Sequence, residues 1–332
     1  MIKNQWYAIL ASKEIRRGRL TGVTRMGEQL VAWRDEQGRP VVQSERCPHR
    51  GVALSLGQVH NGCLQCPFHG FEFDPGGKCT LIPANGRSAE PPKAMHLQTY
   101  PTREAHGLVF IWWGDEQPEY PPLPWFEAVP AGYVPAVLVD PWPIHYSRGI
   151  ENQLDVVHLP FVHGDSIGRG NRTLVNGPLV RTGCDAAGEI INVWVDNDAD
   201  AGQKPLSGDD MDEPARHPSL QFRFPNLWHN WISEDFHLIG AFAPVDDQRM
   251  VLYILTFHAV RLPVLRQIFE WLMNRGNYHI ERQDRRVVIT QVPSRSDLNI
   301  GEVLIRGDGP IITYRKIRRR LIENSPGNRS EN

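Results

Sequence analysis

The sequence predicts an α+β protein in two parts: an all-β N-terminal third, then a larger domain in which an antiparallel sheet is covered by helices. Three observations carry this expectation. Short runs of β-branched and aromatic residues, punctuated by Gly and Pro, continue from Trp6 to Trp113. Prolines then crowd the chain at 118, 121, 122, 124, 130, 135, 141 and 143, the composition of a semi-rigid connector. Beyond them, alternating segments precede one long stretch of helical period, Leu262 to Gln291. The expected boundaries are 1–115, 116–140 for the connector and 141–332, and 332 residues exceed what one core usually serves.

Trp6 to Leu10 reads as a first strand, and Gln29 to Trp33 with Pro40 to Gln43 as a hairpin around Asp35 to Gly38. In the second part Ile190 to Val195, Leu220 to Phe224, His237 to Phe242 and Met250 to His258 alternate as antiparallel strands. The helical stretch opens with Pro263 and carries Leu265, Ile268, Phe269 and Leu272 at helical spacing, with Gly276 as a break. After it Ile280, Asp284, Val287, Val288 and Gln291 share one side. Asp284 therefore faces inward while Arg282, Arg285 and Arg286 face out; an inward carboxylate needs a metal or an Arg partner. Asp196 to His217, acidic and rich in Gly and Pro, is a solvated insertion or a lid. The basic, then polar tail from Arg315 is expected to be a frayed, solvated surface.

Hydrophobic residues make up 41% of the chain and charged ones 22%, as in a soluble globular protein, and a net charge of −2 argues against a nucleic-acid footprint. No apolar run is long enough to span a membrane, and Met1 to Leu20 is charged where a signal peptide would be apolar, so a cytoplasmic protein without a membrane partner is expected. Five Cys are too few for a disulfide scaffold. Four of them, Cys47, Cys63, Cys66 and Cys79, fall close together, which points to metal.

Cys47-Pro-His49-Arg-Gly51 and Cys66-Pro-Phe-His69-Gly70 each place one thiolate and one imidazole in a turn rich in Pro and Gly. A Rieske [2Fe–2S] centre needs this set, because two His replace two Cys on one iron. A structural Cys₂His₂ zinc site uses the same ligands, although zinc fingers usually pair Cys with Cys and His with His. Cys63, three before Cys66, offers a rival thiolate pair. Farther on, Asn152, Asp155 and His158 are spaced three apart, which stacks them on one face of a helix, and Pro160 disfavours further helix just before His163. Two His and a carboxylate on one face of an iron leave positions open for oxygen and substrate, and His158, His163 and Asp284 could supply them.

The two Cys/His loops, with the Phe-Glu-Phe that follows the second, closely resemble the Rieske domain of the Rieske non-haem iron oxygenases, in their terminal oxygenase (alpha) subunit. Neither loop has the additional Cys of respiratory-type Rieske proteins. The resemblance continues through Asp155, His158, His163 and Asp284 to Asp308 to Arg315, nearly the whole chain. It implies a helix-grip catalytic domain; a [2Fe–2S] cluster on Cys47, His49, Cys66 and His69; and a mononuclear Fe(II) on His158, His163 and Asp284. Cys63 and Cys79 then become small apolar residues near the cluster. Asp155 takes a catalytic role, bridging His158 to His69 of the neighbouring subunit as an electron path, which implies a head-to-tail homotrimer; Asn152 lies near the iron.

Electrons must come from a separate reductase or ferredoxin, since no flavin or nicotinamide fingerprint is present. The resemblance implies that O₂ and a small organic substrate complete the reaction, and the short catalytic domain looks closer to the monooxygenase and O-demethylase branch. Trp228, His229, Trp231 and Phe242 are pocket or core residues. A ring-dihydroxylating dioxygenase is the nearest alternative. From other classes, a Rieske electron carrier or a zinc-stabilised binding protein without oxygenase activity remain open.

Overall fold

Alternation and turn chemistry build the N-terminal unit from short strands: β1 Gln5–Ala11, β2 Thr21–Arg25, β3 Glu28–Arg34, β4 Pro40–Ser44, β5 Gln58–His60, β6 Cys63–Gln65, β7 Glu72–Phe73, β8 Cys79–Leu81, β9 Thr99–Tyr100, β10 Thr102–Ala105 and β11 Leu108–Trp113. The structure is a computed structural model that describes residues 1–168, 172–196, 200–206 and 208–325. Residues 6–113 with 244–246 form one unit, and 1–5, 114–243 and 247–332 the other. The strands of the first unit form three sheets, ordered β1-β11-β10, β2-β3-β4-β9 and β5-β6-β7-β8. The expected hairpin is there: Leu30 faces Ser44 and Trp33 faces Val41 across β3 and β4. Trp33, Leu54, Leu64 and Phe73 form the apolar floor on which the two Cys/His loops rest.

The second unit is organised by a seven-stranded sheet, β12-β18-β17-β16-β15-β14-β13, from β12 Ala136–Trp142, β13 Leu179–Asp185, β14 Gly188–Trp194, β15 Leu220–Arg223, β16 Leu227–Ser233, β17 Phe236–Pro244 and β18 Met250–His258. Pro141 is accommodated because β12 is an edge strand, where a missing N–H breaks no inner ladder. Among the described residues, four α-helices accompany the sheet: α1 Tyr146–Leu154, α2 Leu159–Val162, α3 Pro263–Val288 and α4 Gly309–Glu323. α3 is fastened to the sheet by polar contacts: Arg285 Nη1 donates to Asp140 Oδ1 (2.8 Å), and Asn277 Nδ2 to Thr256 Oγ1 (3.0 Å). Among the described residues no helix is long and apolar enough to cross a membrane.

Five expectations are corrected. Asn152, Asp155 and His158 do not share one helix, because α1 ends at Leu154 and Asp155 adopts an extended backbone. Its Oδ1 instead accepts from the N–H groups of Val157 (2.8 Å) and His158 (3.3 Å), a local turn that competes with helix. Pro160 does not stop a helix before His163; it sits in the first turn of α2, where the missing N–H costs nothing.

Gly276 does not break α3, which runs through it; a Cβ there would meet nothing within 4 Å, so the residue marks an open surface rather than a kink. In the first half of α3 the apolar residues Leu265, Ile268 and Leu272 are exposed, and after Gly276 Val287 and Gln291 are exposed while Asp284 and Val288 are buried. The tail is not a solvated basic surface through its first turns: Arg315 and Arg318 are buried on α4. The stretch 196–217 lies partly, and 326–332 wholly, outside the described residues.

Candidate metal centres and substrate cavity

The two Cys/His loops have the same backbone geometry. In the first, Cys47 N–H donates to the Val52 carbonyl (3.0 Å) and Gly51 N–H to the Cys47 carbonyl (2.8 Å). In the second, Cys66 N–H donates to the Phe71 carbonyl (2.8 Å) and Gly70 N–H to the Cys66 carbonyl (3.0 Å). Each turn closes only through a left-handed residue, Gly51 at φ 71° and Gly70 at φ 69°. This is why both loops end in Gly.

The loops bury both thiols and leave both imidazoles exposed. Cys47 and Cys66 are hydrogen-bonded neighbours, and the His49 and His69 rings lie 4.8 Å apart between centroids. Burial pushes the Cys47 thiol up to about 11 and the adjacent Cys66 adds to this, against the N–H groups of His49 and Arg50. Such a thiol becomes a thiolate when it binds a metal. A single tetrahedral zinc would hold all four donors within about 4 Å of one another. Among the described residues, however, the His, Cys, Asp and Glu donors that converge within 4.8 Å are a different set. Thiols paired with each other and imidazoles paired with each other suit a centre with two irons, one held by sulfur and one by nitrogen. Cys79 is buried in the floor beneath the loops, whereas Cys63 is only half-buried, with Sγ 3.8 Å from Thr80 Oγ1.

The converging set is His158, His163 and Asp284. The turn after α1 presents His158, the end of α2 presents His163, and the inward side of α3 presents Asp284, which is 2% exposed. His163 Nε2 lies 2.9 Å and His158 Nε2 3.3 Å from Asp284 Oδ1. Yet Oδ1, fully buried, makes no hydrogen bond of acceptable geometry to either ring. One ligand atom from each of the three residues lies within 4.8 Å of the others, close enough to share one metal ion. His163 Nδ1 is 2.8 Å from Gln283 Oε1, which can only accept, so in the neutral ring Nδ1 carries the proton and Nε2, 2.9 Å from Asp284 Oδ1, keeps its lone pair. Ser166 Oγ donates to the same Oε1 (3.0 Å), holding the amide in place. These residues fit a mononuclear Fe(II) held by two His and one carboxylate.

Electrostatics favours a cation there. Burial alone would raise the Asp284 carboxyl, but the two imidazoles outweigh it and hold it below its ordinary value. Burial alone would lower His158, but the carboxylates of Asp155 and Asp284 outweigh it and hold the ring up at about 9. A His raised in the folded state stabilises the metal-free protein fully below its unfolded value of 6.5, and this contribution is lost as pH rises through about 9. The cation must displace that proton. Fe(II) affinity, measured anaerobically by chelator competition, is therefore expected to rise about tenfold per pH unit from 7 to 9 and then level off.

Asp155 Oδ1 lies 3.8 Å from His158 Nδ1, beyond hydrogen-bond reach, and that Nδ1 is buried without a partner. Asn152 sits one turn earlier with a buried, unpartnered Nδ2. Both face a second cleft of about 400 Å³ on the side of His158 that also carries Glu302 and Asp308.

His158, His163 and Asp284 form part of the wall of a cavity of about 330 Å³. Its other walls are mostly apolar, with Val157, Leu174, Leu220, Leu238, Ile254 and Trp228 among them. Strand alternation sorts the aromatic candidates. Trp228 and Asn230 of β16 line the cavity, His229 and Trp231 line a separate cleft, and Phe242 belongs to the buried core. Sequence reasoning missed Gln283, which orients His163, and Glu281, a buried carboxyl in the cavity wall. Only their spacing from Asp284 on α3 could have indicated them.

Comparisons with known proteins agree with this geometry. Residues 5–101 match the family model of the Rieske [2Fe-2S] domain, and residues 142–324 that of the vanillate O-demethylase oxygenase C-terminal domain. Protein TIC 55 of Arabidopsis thaliana is 35% identical over 162 residues, 48% of this chain and 30% of that protein. The iron-sulfur subunit TsaM1 of the toluene-4-sulfonate monooxygenase system of Comamonas testosteroni is 32% identical over 206 residues, 59% of this chain and 56% of the subunit. The matched stretch thus spans less than two thirds of these relatives. In fold, the chain resembles NdmA of Pseudomonas putida CBB5, with a TM-score of 0.73 at 21% identity over 96% of this chain and 90% of that one.

Proposed function

Since this chain belongs to the Rieske oxygenases whose catalytic part is of the vanillate O-demethylase C-terminal type, we propose that it is a terminal oxygenase. It takes electrons from a separate reductase or ferredoxin and uses O₂ to hydroxylate or oxidatively demethylate a small organic substrate. One observation carries this reading most: three donor atoms converge within 4.8 Å in the wall of a cavity sized for a small molecule.

When bound, the [2Fe–2S] cluster on Cys47, His49, Cys66 and His69 supplies single electrons, and Fe(II) on His158, His163 and Asp284 supplies O₂ activation. Everything else is the work of the chain. Gln283 and Ser166 fix the tautomer and orientation of His163. The Asp155 turn replaces one helical turn between α1 and α2, so that His158 and His163 approach the carboxylate from different sides. The apolar cavity wall excludes water from the substrate.

Asp155 has a second role in this proposal. Its carboxylate links His158 to His69 of the partner subunit, and a head-to-tail homotrimer places the two together. Its spare oxygen, the open second cleft and the unpartnered His158 Nδ1 support the assignment. In Asp155→Ala, oxygen uptake and product formation with a competent reductase are expected to fall about 100-fold, at the upper end for loss of a metal site's outer partner, while both metal centres stay loaded. Turnover near wild type would remove Asp155 from the electron path. Mass spectrometry of products formed under ¹⁸O₂ tests the oxygenase reading itself, and products without ¹⁸O would sink it.

A further inference from the structure

Glu281 stands one turn before Asp284 on the inward side of α3 and lines the same cavity. It is 5% exposed, and its Oε2 is buried without a hydrogen-bond partner. An unpartnered polar group in an apolar wall costs stability, and nothing in the surrounding packing offsets it. The neighbouring polar residues are engaged or elsewhere: Asn277 donates to Thr256, Arg285 is held by Asp140, and Gln283 serves His163. The carboxyl makes no hydrogen bond among the described residues, and a ligand in the cavity that it lines is the partner it lacks.

The geometry points to Glu281 as the residue that orients the substrate, donating a hydrogen bond from its carboxyl to an acceptor on a largely apolar molecule. The acceptor is a carbonyl, ether or ring nitrogen near the carbon to be oxidised. Burial, first of all, favours the neutral carboxyl, the form that can donate. Its position one helical turn from the metal-binding carboxylate sets the distance between the anchored group and the reacting carbon. The apolar walls contributed by Val157, Leu220, Leu238, Ile254 and Trp228 receive the remainder. Glu281 on this account is a specificity residue, and the inference rests on the oxygenase reading of the cavity.

The test uses the full-length, metal-loaded protein and two probes of similar shape, acetophenone and isopropylbenzene, whose binding is measured by titration calorimetry. Wild type, Glu281→Gln and Glu281→Leu are compared. One hydrogen bond to a buried donor corresponds to about a tenfold change in affinity. The ratio of the two dissociation constants is therefore expected to shift about tenfold towards the hydrocarbon in Glu281→Leu. Glu281→Gln, which keeps a donor, is expected to stay within about threefold of wild type. Glu281→Leu is also expected to be at least as resistant to heat as wild type, so a loss of binding cannot be ascribed to unfolding.

An unchanged ratio in Glu281→Leu, an equal shift in Glu281→Gln, or failure of the wild type to bind either probe overturns the assignment. The visible cluster spectrum and the iron content of the same samples test the oxygenase reading separately. A protein without these metals would fail that reading while leaving the probe ratio free to succeed or fail by itself.

Discussion

Asp284→Ala is expected to purify with the visible spectrum of its [2Fe–2S] cluster intact and without mononuclear iron, and to lose turnover by at least about 100-fold, the most that loss of an outer partner usually costs a metal site. The expectation follows from position. Asp284 is the one carboxylate on which both imidazoles converge, and its Oδ1 has no other partner. The cluster donors are other residues in the other compact unit, so they are untouched. Iron analysis together with absorbance separates the two centres. Removing Asp284 also takes away one of the two carboxylates that hold His158 near 9, so its pKa falls towards the value that burial favours. The tenfold-per-unit pH dependence of metal binding is then expected to flatten above pH 7. A variant that retains stoichiometric mononuclear iron would remove Asp284 from the ligand set.

The chemistry of this chain is legible in its sequence wherever one residue type in one local pattern is enough. The Cys/His loops are such a case: each loop closes on itself, and the Gly that allows the turn is in the motif. The strands around Ile190 to Trp194 and Met250 to His258 are another, since runs of apolar and β-branched residues report strand directly; Met250–His258 is buried along its whole length.

What the sequence hides depends on partners far along the chain. Asp155, His158 and Asn152 look helical because spacing by three fits a helix, but the Asp155 side chain captures the next two N–H groups and turns the chain out of it. Apolar spacing on α3 suggests an inward stripe at Leu265, Ile268 and Leu272, yet in the single chain these residues are exposed. Periodicity reports a face without saying what covers it. Asp284 stands out in the sequence because a carboxylate on the apolar side of a helix violates a rule; Glu281, three residues earlier and also buried, lies outside the stripe of Ile280, Asp284, Val287, Val288 and Gln291.

The basic tail misleads for the same reason, and it carries the largest stability prediction. Arg315, read from composition as solvated, lies in a closed ring of two arginines and two glutamates. Glu151 Oε1 accepts from Arg315 Nε (2.7 Å), and its Oε2 from Arg148 Nη1 (3.0 Å) and Arg315 Nη2 (3.0 Å). Glu302 bridges the same two guanidinium groups at 2.8 and 2.6 Å. Each glutamate touches both arginines, so α1, α4 and the segment around residue 302 are tied together with no net charge. Glu151 is 4% exposed and Glu302 is partly open.

Glu151→Ala leaves two buried cations that share only Glu302, and is expected to cost about 3–5 kcal/mol in urea unfolding of the catalytic unit, the usual penalty for breaking a buried ion pair from one side. Glu302→Ala removes the glutamate that is itself open to water and leaves both arginines on Glu151, and is expected to cost about 1 kcal/mol. Removing the three buried charges together, as Arg148→Met, Glu151→Met and Arg315→Met in one chain, leaves only the water-exposed Glu302 and is expected to recover most of the loss, because the penalty comes from buried unpaired charge rather than from the absence of the pair. If Glu151→Ala unfolds at wild-type urea concentration, the ring is a surface contact and not a structural tie. Because α1 leads straight into Asn152 and Asp155, the same variant is expected to weaken the Asp155 turn, lowering turnover at urea concentrations where the cluster absorbance has not changed.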